Sequence, residues 1–212
     1  MTEENRAAPA EKQTGRIEAF SDGVFAVAIT LLVLDLIKVP EAPEGQVFTA
    51  ADLAAILGRQ WPSYATFLIS FATILIMWMN HHSIFQWVQK NDPVFMFANG
   101  FLLLLVTLVP FPTALLGDYL LKPAAPTAAA MYAGLFVIIS IAFIVLWWAA
   151  AYRRPLLRPG IPPARIRERT IANLLGFPVY VLALACAFWS PVLTVAICGA
   201  LWIFWAIISI RL

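Results

Sequence analysis

Apolar residues occur along this chain in long blocks, and six of these blocks have the length of membrane-spanning helices. Their approximate bounds are 17–37, 61–81, 94–117, 127–150, 170–189 and 192–210. A helix needs about 20 mostly apolar residues to cross the hydrocarbon core of a bilayer. The pattern therefore predicts an all-α, polytopic membrane protein with six transmembrane helices in one domain, 16–212, after a polar, disordered tail at 1–15.

Polar segments separate the blocks and predict the connections between the helices. The acidic, Pro-rich segment KVPEAPEGQVF follows the first block and indicates an exposed loop, after which residues 50–58 form a short interfacial helix. Pro110 and Pro112 are expected to kink the third helix, since proline lacks the amide hydrogen that an inner turn needs. The segment YRRPLLRPGIPPARIRER before the fifth block is strongly basic.

Composition supports a membrane location and excludes some functions. The chain is 62% hydrophobic and 12% charged, whereas soluble domains are about a quarter charged. A net charge of +2 is too small to indicate a nucleic-acid partner. The polar N-terminal segment MTEENRAAPAEKQTG lacks the apolar core of a signal peptide.

The distribution of Lys and Arg predicts the orientation of the helices. If the N-terminus is cytoplasmic and six helices alternate, most of the 14 basic residues lie on the cytoplasmic side, as the positive-inside rule requires. These are Arg6, Lys12, Arg16, Lys90, Arg153, Arg154, Arg158, Arg165, Arg167, Arg169 and Arg211, against Lys38, Arg59 and Lys122 outside. Both termini are therefore predicted to be cytoplasmic.

No motif for catalysis or metal binding occurs in the chain. The two histidines, His81 and His82, are adjacent and have no Cys or carboxylate beside them in the sequence. Cys186 and Cys198 lie in apolar blocks, where buried free thiols are expected. Phosphate-binding loops, HExxH and a TVGYG-type filter are all missing. We therefore predict that the chain is not an enzyme, binds no metal and needs no cofactor.

The first block has an apolar stripe along one helical face. Val27, Leu31 and Leu34 follow the i, i+4, i+7 spacing, and Thr30 lies next to them. Such a stripe commonly serves only for packing or lipid contact, and the alternative is that it lines a path through the membrane. The residues alone leave both interpretations open.

Asp22 lies at the start of the same apolar run, on a side that it shares with Ala26, Ile29 and Val33. A carboxylate at this depth is costly and usually faces protein or a water-filled path. Other polar residues are expected at the same depth, on the cytoplasmic side: Arg16, Trp78, Asn80, His81, His82 and Asn99. These groups predict a polar network that clamps the helices, while direct contact of Asp22 with an ion remains the alternative.

One stretch of the sequence resembles a known family. The segment RIEAFSDGVFAVAITLLVLDL contains the pattern Arg-x-x-x-Phe-Ser-Asp at Arg16, Phe20, Ser21 and Asp22. Together with WMNHHSIFQWV and VPFPTALL, it resembles the endolysosomal potassium channel family, transmembrane protein 175, and especially its bacterial six-helix members. The resemblance covers the first three helices; for the last three it rests on helix number and topology.

The resemblance implies a homotetramer without a pore loop, whose central pore is lined by the first helix of each subunit. Val27, Leu31 and Leu34 would form the constriction or gate, and Thr30 a hydroxyl layer involved in selectivity. Leu or Ile is commoner in the family at the position of Val27, which implies a wider ring there. The structural network would contain the signature residues and their partners: Arg16, Phe20, Ser21, Asp22, Trp78, His81, His82 and Asn99.

The expected function is passive conduction of potassium and other monovalent cations across the cell membrane, without a cofactor. Expected partners are these cations, further copies of the chain and membrane lipids. Two other hypotheses stand beside it. The chain could be a secondary transporter that uses Asp22 as a proton- or ion-coupling carboxylate, or a membrane scaffold that conducts nothing.

Overall fold

The computed structural model describes residues 9–36, 47–153 and 156–211, and within these ranges it is almost entirely helical. The helices are α1 Pro9–Leu31, α2 Ala50–Arg59, α3 Trp61–Trp87, α4 Pro93–Leu108, α5 Pro110–Tyr119, α6 Ala125–Trp148, α7 Pro163–Cys186 and α8 Pro191–Arg211. No β-strand occurs in the described part of the chain. The predicted all-α class is confirmed.

Five segments are long and apolar enough to cross a membrane. They are Thr14–Leu34, Trp61–Trp87, Pro93–Tyr119, Ala125–Tyr152 and Pro163–Cys186. Helix α8 is also apolar, but its described apolar segment, Pro191–Ile207, is shorter than these five. Helices α4 and α5 form one span that is interrupted at Val109, beside the two prolines that the sequence analysis expected to disturb it. The chain is therefore a polytopic membrane protein.

Two helices begin earlier than the sequence pattern predicts. Helix α1 begins at Pro9 rather than near residue 17, so part of the expected disordered tail is helical. Helix α7 begins at Pro163 rather than near residue 170, and its basic first turns belong to the helix. In both helices, proline occupies the first turn and strong helix formers follow it. The boundary between polar and apolar residues therefore marks the edge of the membrane, not the first residue of the helix. Residues 1–8 and most of the predicted loop at 38–48 lie outside the described residues.

Helix geometry changes at the ends of α1 and α6, whereas α3 is continuous. Helix α1 tightens into a 3₁₀ turn at Leu32–Asp35. Helix α3 continues without a break to Trp87, so the predicted span and its amphipathic extension are one helix. Helix α6 widens into a π-helix at Ala149–Arg153.

Helix α6 is the centre of the subunit, because it contacts α4, α5, α7 and α8. Its side chains Tyr132, Phe136 and Trp147 are each at most 2% exposed. Helix α1 instead packs chiefly against α3 and α4. One side of α1 is therefore covered by its own chain.

Helix α2 is amphipathic and lies apart from the core. A capping box fixes its start, with the Asp52 amide donating to Thr49 Oγ1 at 3.2 Å and the Thr49 amide donating to Asp52 Oδ2 at 3.0 Å. The contacts with Thr49 also lower the pKa of the Asp52 carboxyl. No residue of α2 is buried, and Leu53 and Leu57 are exposed. A helix therefore exists where the interfacial helix was predicted.

Candidate functional site

Helix α1 has two contrasting faces. Ser21, Phe25, Ala28 and Leu32 follow one another at helical spacing and are at most 2% exposed. This row of residues is the side that packs against the rest of the subunit. Ala26 and Val33 are exposed. The side that they share with Asp22 is therefore not the covered face of α1, which is centred on Ser21, one position earlier.

The predicted apolar stripe lies on the other side of α1. Val27 is 54% exposed, Leu31 39% and Leu34 57%, and Thr30 is exposed between them. These fractions describe one subunit. The stripe is thus a mostly apolar surface that is partly exposed among the described residues.

The Thr30 hydroxyl has a defined direction. It donates a hydrogen bond to the carbonyl oxygen of Val27 at 2.8 Å. Because the single hydroxyl proton is used within the helix, the oxygen offers lone pairs to its other surroundings. Thr30 therefore presents a hydrogen-bond acceptor on an otherwise apolar face.

A chain of buried hydrogen bonds joins α1, α4 and α3. The imidazole of His81 bonds through Nε2 to Asn99 Oδ1 at 2.8 Å, and Asn99 Nδ2 donates to Ser21 Oγ at 2.9 Å. Ser21 Oγ in turn donates to the Ile17 carbonyl at 2.8 Å. We assign the Nε2–H tautomer to His81, since the Asn99 oxygen accepts only from a protonated nitrogen. The chain of donors has a single direction, from His81 to the backbone of α1.

Asp22 makes a second bond between α1 and α3. Its Oδ1 accepts from the Trp78 indole nitrogen at 2.8 Å. The structure gives Asp22 a neutral donor on a second helix.

A third pair lies one turn further towards the start of α1. His82 Nδ1 lies 2.8 Å from Glu18 Oε1, and the His82 ring stacks on that of Trp78. His82 Nε2 also lies 2.9 Å from Gln86 Nε2. Glu18 was not among the predicted site residues. Its position four residues before Asp22 was the signal that could have identified it, because i and i+4 share a helical face.

Arg16 and Phe20 lie elsewhere. Both line an open groove between α1 and α4, together with Asn91 and Met96. The Phe20 side chain is 68% exposed. The structure thus brings six of the eight predicted network residues together, namely Ser21, Asp22, Trp78, His81, His82 and Asn99, and leaves Arg16 and Phe20 beside them.

Sequence reasoning also missed a buried arginine. Arg169 of α7 is 3% exposed and donates to Ser83 Oγ at 2.6 Å and to the Asn80 carbonyl at 2.8 Å. Its guanidinium lies over the rings of Trp87 and Trp147. Arg169 therefore ties α7 to α3. The basic segment was assigned to a loop, which concealed this role.

These features define the chain as a polytopic helical membrane protein with a distinctive first helix. Buried polar bonds hold one side of this helix against the bundle, and its apolar stripe is exposed on another side. The sequence model of the family described as "Endosomal/lysosomal potassium channel TMEM175" matches residues 16–110. That range contains α1 from Arg16 onwards, α2, α3 and α4, and all the residues of the α1 network.

Relatives match over nearly the whole chain. "Potassium channel Cha6605_3372" of Chamaesiphon minutus is 46% identical over 95% of this chain and 98% of its own length. "Potassium channel B446_29190" of Streptomyces collinus is 45% identical over 89% of each chain. The crystal structure of a lysosomal potassium-selective channel TMEM175 homolog from Chamaesiphon minutus superposes with a TM-score of 0.81, over 93% of this chain and 98% of that one. The chain belongs to the TMEM175 family, which is a family of channels and not of enzymes.

Replacing Asn99 tests the network. In Asn99→Leu, His81 Nε2 loses its acceptor inside the bundle, and a buried group without its partner costs about 1–3 kcal/mol. We expect a lower thermal unfolding midpoint for the protein in detergent.

Asn91→Leu is the matched control, because the Asn91 side-chain nitrogen has no hydrogen-bond partner in the described structure. If both variants lower the unfolding midpoint equally, the hydrogen bonds of Asn99 do not stabilise the protein more than an asparagine without such bonds does.

Proposed function

We propose that this chain is a potassium-permeable cation channel that conducts passively through a pore lined by α1. Two bacterial relatives that match along nearly the full chain are named potassium channels. The observation that carries the proposal is the asymmetry of α1. One face is fixed by buried packing and polar bonds, while Val27, Leu31 and Leu34 are exposed in the part of the chain that the structure describes.

The pore requires more than one copy of the chain. We propose a homotetramer in which the stripe of each α1 faces a common axis. Closed rotational symmetry places the same residue of every copy at the same height, so each side chain of the stripe contributes to a ring. The uncovered stripe supports this arrangement, because a single subunit offers nothing to enclose a path.

Apolar rings provide a gate without a moving charged group. A narrow hydrophobic bore loses its water unless it widens, and a dry bore does not pass ions. Val27 has a smaller side chain than Leu31 and Leu34, so its ring would be the widest of the three. We therefore place the main constriction at the two leucines.

Thr30 is the polar layer between these rings. Its proton is donated to the Val27 carbonyl, so a ring of Thr30 oxygens presents acceptors only. Oxygen acceptors replace part of the hydration shell of a cation, whereas they offer nothing to an anion. This supports cation conduction and a role for Thr30 in discriminating between cations.

The remaining proposals concern location and partners. Most Lys and Arg residues fall on the side that also carries both termini, so we place the chain in the cell membrane with cytoplasmic termini. The basic segment before α7 would lie at the headgroups of anionic lipids. Permeant cations, further copies of the chain and lipids are the proposed partners. We expect no cofactor and no nucleic acid.

Truncating the gate tests whether α1 lines the pore. In Leu34→Ala the apolar ring widens and admits water more readily, so we expect a several-fold rise in passive potassium flux from liposomes under a potassium gradient. Leu68→Ala on α3 is the control, since Leu68 is exposed to a similar extent as Leu34. If both variants conduct like the parent protein, the stripe faces lipid and the pore lies elsewhere.

Thr30→Val tests selectivity. Valine keeps the shape of threonine but replaces the hydroxyl by a methyl group, so the acceptor layer is lost. The ratio of potassium to sodium flux, measured in the same liposomes, is expected to fall. An unchanged ratio would remove Thr30 from the discrimination step.

Asp22→Asn separates the channel from a coupled transporter. The amide oxygen of asparagine can still accept from Trp78, so a channel that uses Asp22 only as a clamp keeps its passive flux. A transporter that moves a proton on Asp22 loses its flux, because an amide does not titrate.

Asp22→Leu is the companion variant. It removes the acceptor of the half-buried Trp78 indole and is expected to lower the yield of folded protein. If the flux needs a proton gradient and disappears in Asp22→Asn, the coupled-transporter hypothesis would replace the channel proposal.

A further inference from the structure

A small cavity lies inside the subunit between α3, α6, α7 and α8. Its volume, measured as the space open to the centre of a water molecule, is about 40 Å³. A cavity needs about 10–15 Å³ to hold one water, so this one has room for water but not for an acyl chain. No residue of α1 lines the cavity, which is therefore separate from the proposed pore.

Asn173 of α7 is an unused hydrogen-bond donor in the wall of this cavity. The residue is 9% exposed, and its side-chain nitrogen has no hydrogen-bond partner in the part of the chain that the structure describes. Burying an amide without a partner is costly, and native proteins rarely do so. If the amide were turned by 180°, its oxygen would take the same place and would need a donor instead. In either orientation, the group requires a partner inside the cavity.

Two hydroxyl oxygens in the same wall offer acceptors. Thr73 of α3 donates its proton to the Ile69 carbonyl at 2.7 Å, and Ser140 of α6 donates its proton to the Val137 carbonyl at 2.8 Å. Both residues are buried, and each proton is used within its own helix. The lone pairs of the two oxygens therefore remain for a donor in the cavity.

The wall selects against a charged ligand. None of the described residues that line the cavity carries a charge. A cation would meet the Asn173 amide hydrogens, and an anion would find no positive group to balance it, so burying either one here is costly. The ligand that fits is small and neutral, and it both accepts and donates hydrogen bonds.

We propose that this cavity is a binding site for water, which bridges α3, α6 and α7. The water accepts from Asn173 Nδ2 and donates to the oxygens of Thr73 and Ser140. Buried waters typically make about three hydrogen bonds, and these three groups supply that number. Because the bilayer offers no water to these groups, a bound water joins the three helices by polar bonds that lipid cannot replace. The site is independent of where the pore lies.

Hydroxyl-radical labelling tests the proposal without any measurement of conduction. X-ray irradiation of the purified protein in detergent, in water enriched in ¹⁸O, produces radicals from bound water, and these hydroxylate aromatic rings beside it. Tyr180 lines the cavity, whereas Tyr132 is buried and is not among the lining residues. We expect mass spectrometry to find several-fold more ¹⁸O on Tyr180 than on Tyr132.

Substitution of Asn173 tests which group holds the water. Asn173→Leu removes the donor and is expected to lower the labelling of Tyr180 several-fold, while Asn91→Leu, outside the cavity, leaves it unchanged. If Asn173→Leu does not fold, Ser140→Ala serves the same purpose. It removes one acceptor, and the hydroxyl that is lost bonds only within α6 in the described structure, so the variant is expected to fold.

Two results would overturn the proposal. Equal, background labelling of Tyr180 and Tyr132 in the parent protein would show that the cavity is dry. Strong labelling of Tyr180 that persists in a folded Asn173→Leu variant and in Ser140→Ala would show that these side chains do not hold the water that reaches the ring.

Discussion

The position of α1 depends on polar bonds made inside an apolar bundle. A membrane offers no water to serine, asparagine, histidine or a carboxylate, so each of these groups must find its partner in the protein. Ser21 and Asn99 are paired with each other, and Asn99 also bonds to His81. Asp22 has the Trp78 indole. Sliding or rotating α1 would break these bonds together, so they fix its height and its rotation relative to α3 and α4.

That fixed rotation determines what the rest of α1 presents. Successive residues of an α-helix are about 100° apart, so Val27 and Leu31 lie about 240° and 280° around the axis from Ser21. With Ser21 facing inwards, the stripe must face away from the subunit, and the exposed fractions agree. The signature residues Ser21 and Asp22 therefore influence the proposed pore indirectly, by fixing the rotation of α1. Residues that contact no permeant ion in the proposed pore decide which side chains of α1 can reach one.

Periodicity and polarity in the sequence were enough to predict much of this arrangement, for particular physical reasons. The stripe of α1 follows helical spacing, and the intramembrane polar residues had few partners besides one another. What the sequence did not provide was the choice between close alternatives. Asp22 pairs with an indole rather than with Arg16 because the neighbouring helix brings Trp78 to it, which depends on how α1 and α3 pack. Arg169 was missed because the basic segment was predicted to be a loop, whereas α7 already begins at Pro163 and includes Arg169.

Helix α3 connects the two polar systems of the subunit. Within two turns, its Trp78 and His81 bond to the network of α1 and α4, whereas its Asn80 and Ser83 accept from Arg169 of α7. Neighbouring positions on a helix point about 100° apart, which is how one short stretch serves partners on different sides. The same stretch of α3 also lines the cavity between α3, α6, α7 and α8, through Ile76 and Asn80. The helix that positions α1 thus also forms the wall of the cavity, and the two regions share a rigid element although no side chain belongs to both.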